Sequence, residues 1–192
     1  MQRLAFALAA VGLAAWASGQ EFKLGSKVGD FALKDVSGAP VAFEKLKGRV
    51  TVIGFIATKC PISNDYNERM KALYADYQGR GVHFVFINPN NTEPAAEVAA
   101  HARQNGFPFP VYKDDGNVVA DRFGAEFTPE VYVLDQGGVM RYHGAIDDSR
   151  VAARIKSQHL RRALDALLAG QAVETAETRA FGCTIKRVKK TS

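Results

Sequence analysis

Val50-Thr51-Val52-Ile53-Gly54-Phe55-Ile56-Ala57-Thr58-Lys59-Cys60-Pro61 is the stretch that decides the fold. Its first seven residues are β-branched or aromatic apart from one glycine. An apolar run without alternation predicts a strand buried on both faces, as in a parallel sheet. Pro61 suits the first turn of a helix, where the N–H it lacks has no intrahelical partner. From Pro61 to Tyr77 the apolar residues Ile62, Tyr66, Met70, Leu73 and Tyr77 recur at three- and four-residue steps, which predicts an amphipathic helix. Cys60 therefore falls between a buried strand and a helix N-terminus.

Working outward, Gly79 and Gly81 end that helix and Val82–Ile87 reads as a second buried strand. The turn-rich Asn88-Pro89-Asn90-Asn91-Thr92 leads into a helix from Pro94 to about Asn105, closed by Gly106. Upstream, Phe31–Val36 and Val41–Phe43 flank Ser37-Gly38-Ala39-Pro40 and predict a β-hairpin. Downstream come a short extended piece at Pro108–Tyr112, a short helix at Asn117–Phe123 and a strand at the end of Phe127–Asp135. Gln136-Gly137-Gly138 then turns into Val139–His143, a second hairpin signal. Ile155, Leu160, Leu164, Leu167 and Leu168 mark a last amphipathic helix that Gly170 ends. Strands joined by helices imply a parallel core, and the late hairpin adds antiparallel edges. The expected architecture is a three-layer α/β sandwich with a mixed central sheet.

The chain of 192 residues suits one domain with short appendages. Met1-Gln2-Arg3, the apolar Leu4–Ala17 and the small residues Ala15, Ala17 and Gly19 form the three-part layout of a secretory signal peptide. The apolar run is shorter than the roughly 20 residues needed to span a bilayer. Residues 1–19 are thus read as a signal peptide, 20–170 as the domain and 171–192 as a tail, in an exported, periplasmic or extracytoplasmic protein. The net charge of +5 comes largely from Lys186, Arg187, Lys189 and Lys190. Without interleaved aromatics this basic run reads as a solvated tail and not as a nucleic-acid contact.

The chain has two cysteines, Cys60 and Cys183. Unpaired N–H groups at a helix start favour negative charge, so Cys60 is placed to act as a thiolate, and Lys59 beside it adds positive charge. The polar flank of Thr58, Lys59, Ser63, Asn64 and Asp65 argues against an inert thiol in an apolar core. The histidines, His83, His101, His143 and His159, are scattered and show no zinc-like spacing, so no metal or other cofactor is expected. Asn90-Asn91-Thr92 matches the N-glycosylation pattern, but a turn entering a helix explains it. Asp147 and Asp148 read as a solvated loop or a cap.

Phe55-Ile56-Ala57-Thr58-Lys59-Cys60-Pro61-Ile62-Ser63 resembles the active-site segment of thioredoxin-like redoxins, and the match narrows to exported bacterial redoxins of the AhpC/TSA type. Thr128-Pro129-Glu130-Val131-Tyr132-Val133-Leu134-Asp135, Arg141-Tyr142-His143-Gly144-Ala145-Ile146-Asp147-Asp148 and Gly182-Cys183-Thr184-Ile185 carry the rest of the likeness. The resemblance implies a thioredoxin-like α/β/α sandwich and a cis peptide bond at Thr128–Pro129. It also implies thiol redox with Cys60 as nucleophile and Cys183 as resolving thiol. Thr58, Lys59, Pro61, Ser63, Thr128 and Pro129 would shape the substrate groove or support the thiolate. The implied partners are a protein disulfide or peroxide substrate and an external thiol reductant.

The sequence departs from the family pattern in three places. Ser63 replaces the second cysteine of the thioredoxin motif. Ala57 stands where peroxiredoxins carry threonine, and Thr128-Pro129 stands where they carry arginine, with Arg122 and Arg141 no assured substitutes. Peroxide cleavage needs donors on the O–O bond, so disulfide exchange is favoured over efficient peroxidase activity. Two other readings stay open: a binding module in which Cys60–Cys183 is a permanent staple, or an unpaired Cys183. A copper-binding module would want a cysteine where Asn64 stands.

Overall fold

The computed structural model describes residues 21–189. The segment read as a signal peptide, and Lys190 of the basic run, lie outside the described residues. Strand β3 (Val50–Phe55) is buried along its whole length. It runs parallel to β4 (Val82–Asn88), with Val50 opposite Val82 and Phe55 opposite Ile87. On its other side β7 (Glu130–Leu134) runs antiparallel, with Gly54 opposite Val131. Gly54 is needed here, because a Cβ would stand 2.9 Å from the Phe86 ring packed across it.

The remaining strands extend this core both ways. The predicted hairpin forms as β1 (Ala32–Lys34) and β2 (Pro40–Ala42) and joins through β5 (Val111–Lys113), while β8 (Met140–Gly144) adds the far antiparallel edge. The order β2-β1-β5-β4-β3-β7-β8 is a mixed sheet of seven strands. Side chains alternate between its faces. Val52, Phe84 and Val133 meet Met70 and Leu73 of α2 (Asn67–Tyr77), Val98 of α3 (Ala95–Gln104), and Leu160 and Leu164 of α5 (His159–Leu168). Ile53, Phe55 and Tyr132 meet Phe22, Phe31 and Phe43 and the buried side of α4 (Val118–Phe123). The three-layer α/β/α sandwich with a mixed sheet and N-terminal hairpin is therefore the observed fold. No helix among the described residues is long and apolar enough to cross a membrane.

Three local expectations differ from the structure. The helix expected over 61–77 is two helices, α1 (Pro61–Asp65) and α2, parted at Tyr66. Tyr66 is buried, and its hydroxyl donates to Asp147 at 2.8 Å, an anchor that turns the chain between the two helices. Ile155 lies outside α5, at the end of a 3-10 turn over Ala152–Arg154.

The third difference is the tail, which has structure that its sequence does not announce. Ala176 and Thr178 hydrogen-bond His143 on the β8 edge, both at 3.0 Å. The chain then crosses to β9 (Cys183–Thr184), which pairs antiparallel with β6 (Phe127–Thr128). Ile185 is buried against the face that carries Phe55 and Phe123. We call residues 176–188 the strap.

Candidate redox site

The end of β3 is turned into α1 by a buried carboxylate. Glu93, 2% exposed, accepts the amides of Thr58 at 2.8 Å and Lys59 at 3.1 Å. Its remaining capacity takes the side-chain amides of Asn88 at 2.5 Å and Asn90 at 2.9 Å. Burial alone would raise the Glu93 carboxyl, but these donors outweigh it and hold its pKa below the ordinary value. Lys113, also buried, donates to Asn88 Oδ1 and to the Asn90 and Glu93 carbonyls, while its burial pushes the ammonium pKa down.

On this support Cys60 caps α1 and Pro61 takes the first helical position, as expected. The Ser63 amide donates to Cys60 Sγ at 3.2 Å. Ser63 thus reaches the sulfur through its backbone, for its hydroxyl accepts the Ala57 amide at 3.1 Å. Lys59 turns away from the sulfur: its ammonium pairs with Glu97 at 2.9 Å and donates to the Thr92 carbonyl at 3.1 Å. Thr58 also turns its hydroxyl to Glu97, at 3.2 Å.

Opposite Cys60 stands the Thr128–Pro129 peptide, which is cis. The Thr128 carbonyl oxygen lies 3.3 Å from Cys60 Sγ. Thr128 is also the residue that pairs with Cys183, and its hydroxyl donates to the Cys183 carbonyl at 3.4 Å. Cys60 and Cys183 form a disulfide across this junction, with Cα atoms 5.8 Å apart and a sequence separation of 123. Cys60 is 3% exposed. The polar flank did not keep it at the surface, because the strap closes over it.

The strap is held on both sides of the bridge. Before it stand the His143 bonds. After it, Ile185 N donates to the Glu126 carbonyl at 3.0 Å, Lys186 N to Asn90 Oδ1 at 2.7 Å and Val188 N to Asn117 Oδ1 at 2.8 Å. Asn90 therefore links Glu93, under the Cys60 loop, to the segment following Cys183. With its amide committed in both directions and buried, Asn90 is a structural residue, consistent with the turn reading of Asn90-Asn91-Thr92. Arg187, from the basic run read as solvated, pairs with Asp121 at 2.9 Å.

Sequence reasoning missed three features around the site. Glu93 gave no signal beyond a plausible helix start. Glu130, 3% exposed and following the cis proline, accepts the amides of Glu126 and Phe127, the Tyr132 hydroxyl at 2.9 Å and His143 Nε2 at 2.6 Å. Burial pushes its carboxyl up, yet His143 and the other donors bring the pKa below its ordinary value. Asp147, read as solvated, is buried and pairs with Arg69 at 2.8 Å. The guanidinium groups of Arg122 and Arg141 are committed to Glu21 and Asp135, each at 2.6 Å.

A site with one helix-capping thiol bridged across a cis proline can store and release two electrons. Comparison with known proteins places it in a family. Residues 24–143 match the model of the AhpC/TSA family. Thiol-disulfide oxidoreductase ResA of Halalkalibacterium halodurans is 27% identical over 122 residues, 63% of this chain and 68% of that protein. Peroxiredoxin Q, chloroplastic, of Sedum lineare is 31% identical over 61% of this chain and 66% of that protein. Among solved structures, an uncharacterized conserved protein from Geobacillus kaustophilus superposes with a TM-score of 0.82 at 35% identity, covering 88% of this chain and 95% of that one. A hypothetical protein from Sinorhizobium meliloti gives 0.80 at 31%, covering 88% and 97%. With its thioredoxin-like sheet, its thiol at the start of α1 and a family match over more than half its length, the chain belongs to the AhpC/TSA family, among the thiol-dependent oxidoreductases.

Proposed function

We propose that this protein is an exported thiol–disulfide oxidoreductase in which Cys60 and Cys183 form a reversible redox couple. The observation that carries the reading is the bridge itself, set between the Ser63 amide and the Thr128 carbonyl at the point where β3 meets α1. A hydrogen bond from Ser63 N–H favours the thiolate over the thiol at Cys60, which makes it a good leaving group in exchange. The relatives named thiol-disulfide oxidoreductases support disulfide exchange as the activity. The commitment of Arg122 and Arg141 to carboxylates supports exchange over peroxide cleavage, which needs donors on the O–O bond. The substrate would be a protein disulfide and the reductant an external thiol. The N-terminal pattern supports export, and a bridge of this kind persists in oxidising compartments.

Redox titration of the folded protein, with thiols counted by mass, tests the reading. A reversible two-electron couple above about −300 mV supports it. A bridge that opens only when the protein unfolds refutes it in favour of a permanent staple.

A further inference from the structure

The two sulfurs of the bridge are not equally accessible. Cys60 lies under the strap, which passes so close to β6 that a Cβ on Gly182 would stand 2.2 Å from the Thr128 carbonyl oxygen. Cys183 lies on the strap itself, partly exposed, and is followed by the exposed Thr184. The strap's other anchors do not involve sulfur: the His143 bonds, buried Ile185, and the bonds from Lys186 to Asn90 and Val188 to Asn117. None of these anchors depends on the S–S bond, which argues that the strap still covers Cys60 once the bond is broken.

We propose that Cys183, and not Cys60, is the sulfur that exchanges with external thiols, and that Cys60 acts only as its internal partner. The proposal rests on reading the bridge as a reversible couple, and it reverses the order of roles expected from the sequence. In the reductive direction the thiolate of an external dithiol attacks Cys183 Sγ. A bond forms between reductant and Cys183, the Cys60–Cys183 bond breaks, and its electron pair leaves on Cys60, whose thiolate keeps the Ser63 N–H. The second thiol of the reductant, as its thiolate, then attacks its own sulfur in the mixed disulfide. Cys183 leaves as a thiolate and takes up a proton, and the reductant departs as a disulfide, oxidised by two electrons. In the other direction the Cys183 thiolate attacks a substrate disulfide and expels the first substrate thiol. The Cys60 thiolate then attacks Cys183, re-forms the bridge and releases the second. Exchange is fastest when the departing sulfur is the better stabilised thiolate, which is Cys60 here.

The test uses the full chain in two single-cysteine forms, Cys60→Ser and Cys183→Ser, each reacted with glutathione disulfide under stopped-flow conditions. Cys183 in the first is expected to react at least about tenfold faster than Cys60 in the second, which must wait for local opening of the strap. Equal rates, or a faster Cys60, overturn the proposal. Adding Ile185→Asp to Cys183→Ser loosens the strap and is expected to raise the Cys60 rate; no change overturns the covering argument. In the wild-type protein, brief exposure to glutathione followed by acid quench is expected to leave glutathione on the Cys183 peptide, and finding it on the Cys60 peptide overturns the assignment. The single-cysteine rates need no bridge, so they decide this question even where the redox titration refutes the reversible couple.

Discussion

Replacing Gly182 by alanine puts a methyl group against backbone that cannot swing aside. The new Cβ would meet Thr128 O at 2.2 Å, Thr128 C at 2.6 Å and Pro129 N at 3.2 Å. Contacts below 3.0 Å are essentially never made by real Cβ atoms, so the strap must lift from β6 by most of an ångström. In the bridged protein Cys183 is tied down one residue away, and the conflict stays. In the reduced protein Cys183 is no longer tied to Cys60, so Gly182 and Cys183 can shift outward by that much and ease the conflict while the outer anchors hold the strap over the Cys60 sulfur. Overpacking of this kind costs about 1–3 kcal/mol. Carried by the bridged state alone, that cost raises the midpoint potential by about 20–65 mV, since 30 mV corresponds to about 1.4 kcal/mol for a two-electron couple. Equilibration in glutathione redox buffers, acid quenching and thiol counting by mass reads the shift directly. Gly79→Ala is the control, because nothing lies within 4 Å of its Cβ position. A Gly182→Ala potential equal to or more negative than that of the parent refutes the reasoning.

Glu93→Gln places an amide NH₂ where one carboxylate oxygen accepts two buried donors, so the folded state loses about 2–6 kcal/mol at about 1–3 kcal/mol per unmet group. Urea denaturation measures the loss, and hydrogen exchange at the Thr58 and Lys59 amides should quicken; an unchanged midpoint contradicts the supporting role. Cys183→Ser removes a bridge whose loop, 123 residues in sequence separation, is worth about 5 kcal/mol in the chain-entropy model. The strap's other anchors restrain the same ends, so a loss of about 2–5 kcal/mol is expected in urea, and less than about 1 kcal/mol would count against the model. Glu130 has a folded pKa below its ordinary 4.5, so its contribution is complete above that value and disappears as the pH falls through the lower folded one. The stability gap between the parent and Glu130→Gln should therefore narrow as the pH falls below 4.5, and a gap independent of pH would rule out the ionised carboxylate as its source. Gly144 has φ +141° and a Cβ position 2.3 Å from the Thr178 carbonyl oxygen, so Gly144→Ala should detach the strap from β8. Faster exchange of the Thr178 amide would report it, and unaltered protection would not be compatible with the close contact.

The central strands, the hairpin and the placing of Cys60 before Pro61 were legible because each depends on residues adjacent in sequence. A continuous apolar run marks β3 whatever surrounds it, and three- and four-residue steps mark the helices. The split at Tyr66 was not legible, because the hydroxyl that anchors it reaches Asp147, 81 residues away. Glu93 escaped notice for a similar reason: its donors at Thr58 and Lys59 lie 35 and 34 residues upstream. A buried carboxylate has the same letter as an exposed one, and only packing reveals that four donors converge on it.

The amino-acid sequence by itself determined the sandwich, the two cysteines available for redox chemistry and the proline that sets the edge beside Cys60. Tertiary structure decided that Cys183 reaches Cys60, that the strap covers the Cys60 sulfur, and that Lys59 spends its charge on Glu97. A pair of two-residue strands such as β6 and β9 has no periodicity to read. It is a two-stranded sheet of its own, and it forms only when the fold brings together segments 55 residues apart in sequence. Local sequence thus set which thiol caps α1, and long-range pairing set which thiol the solvent meets.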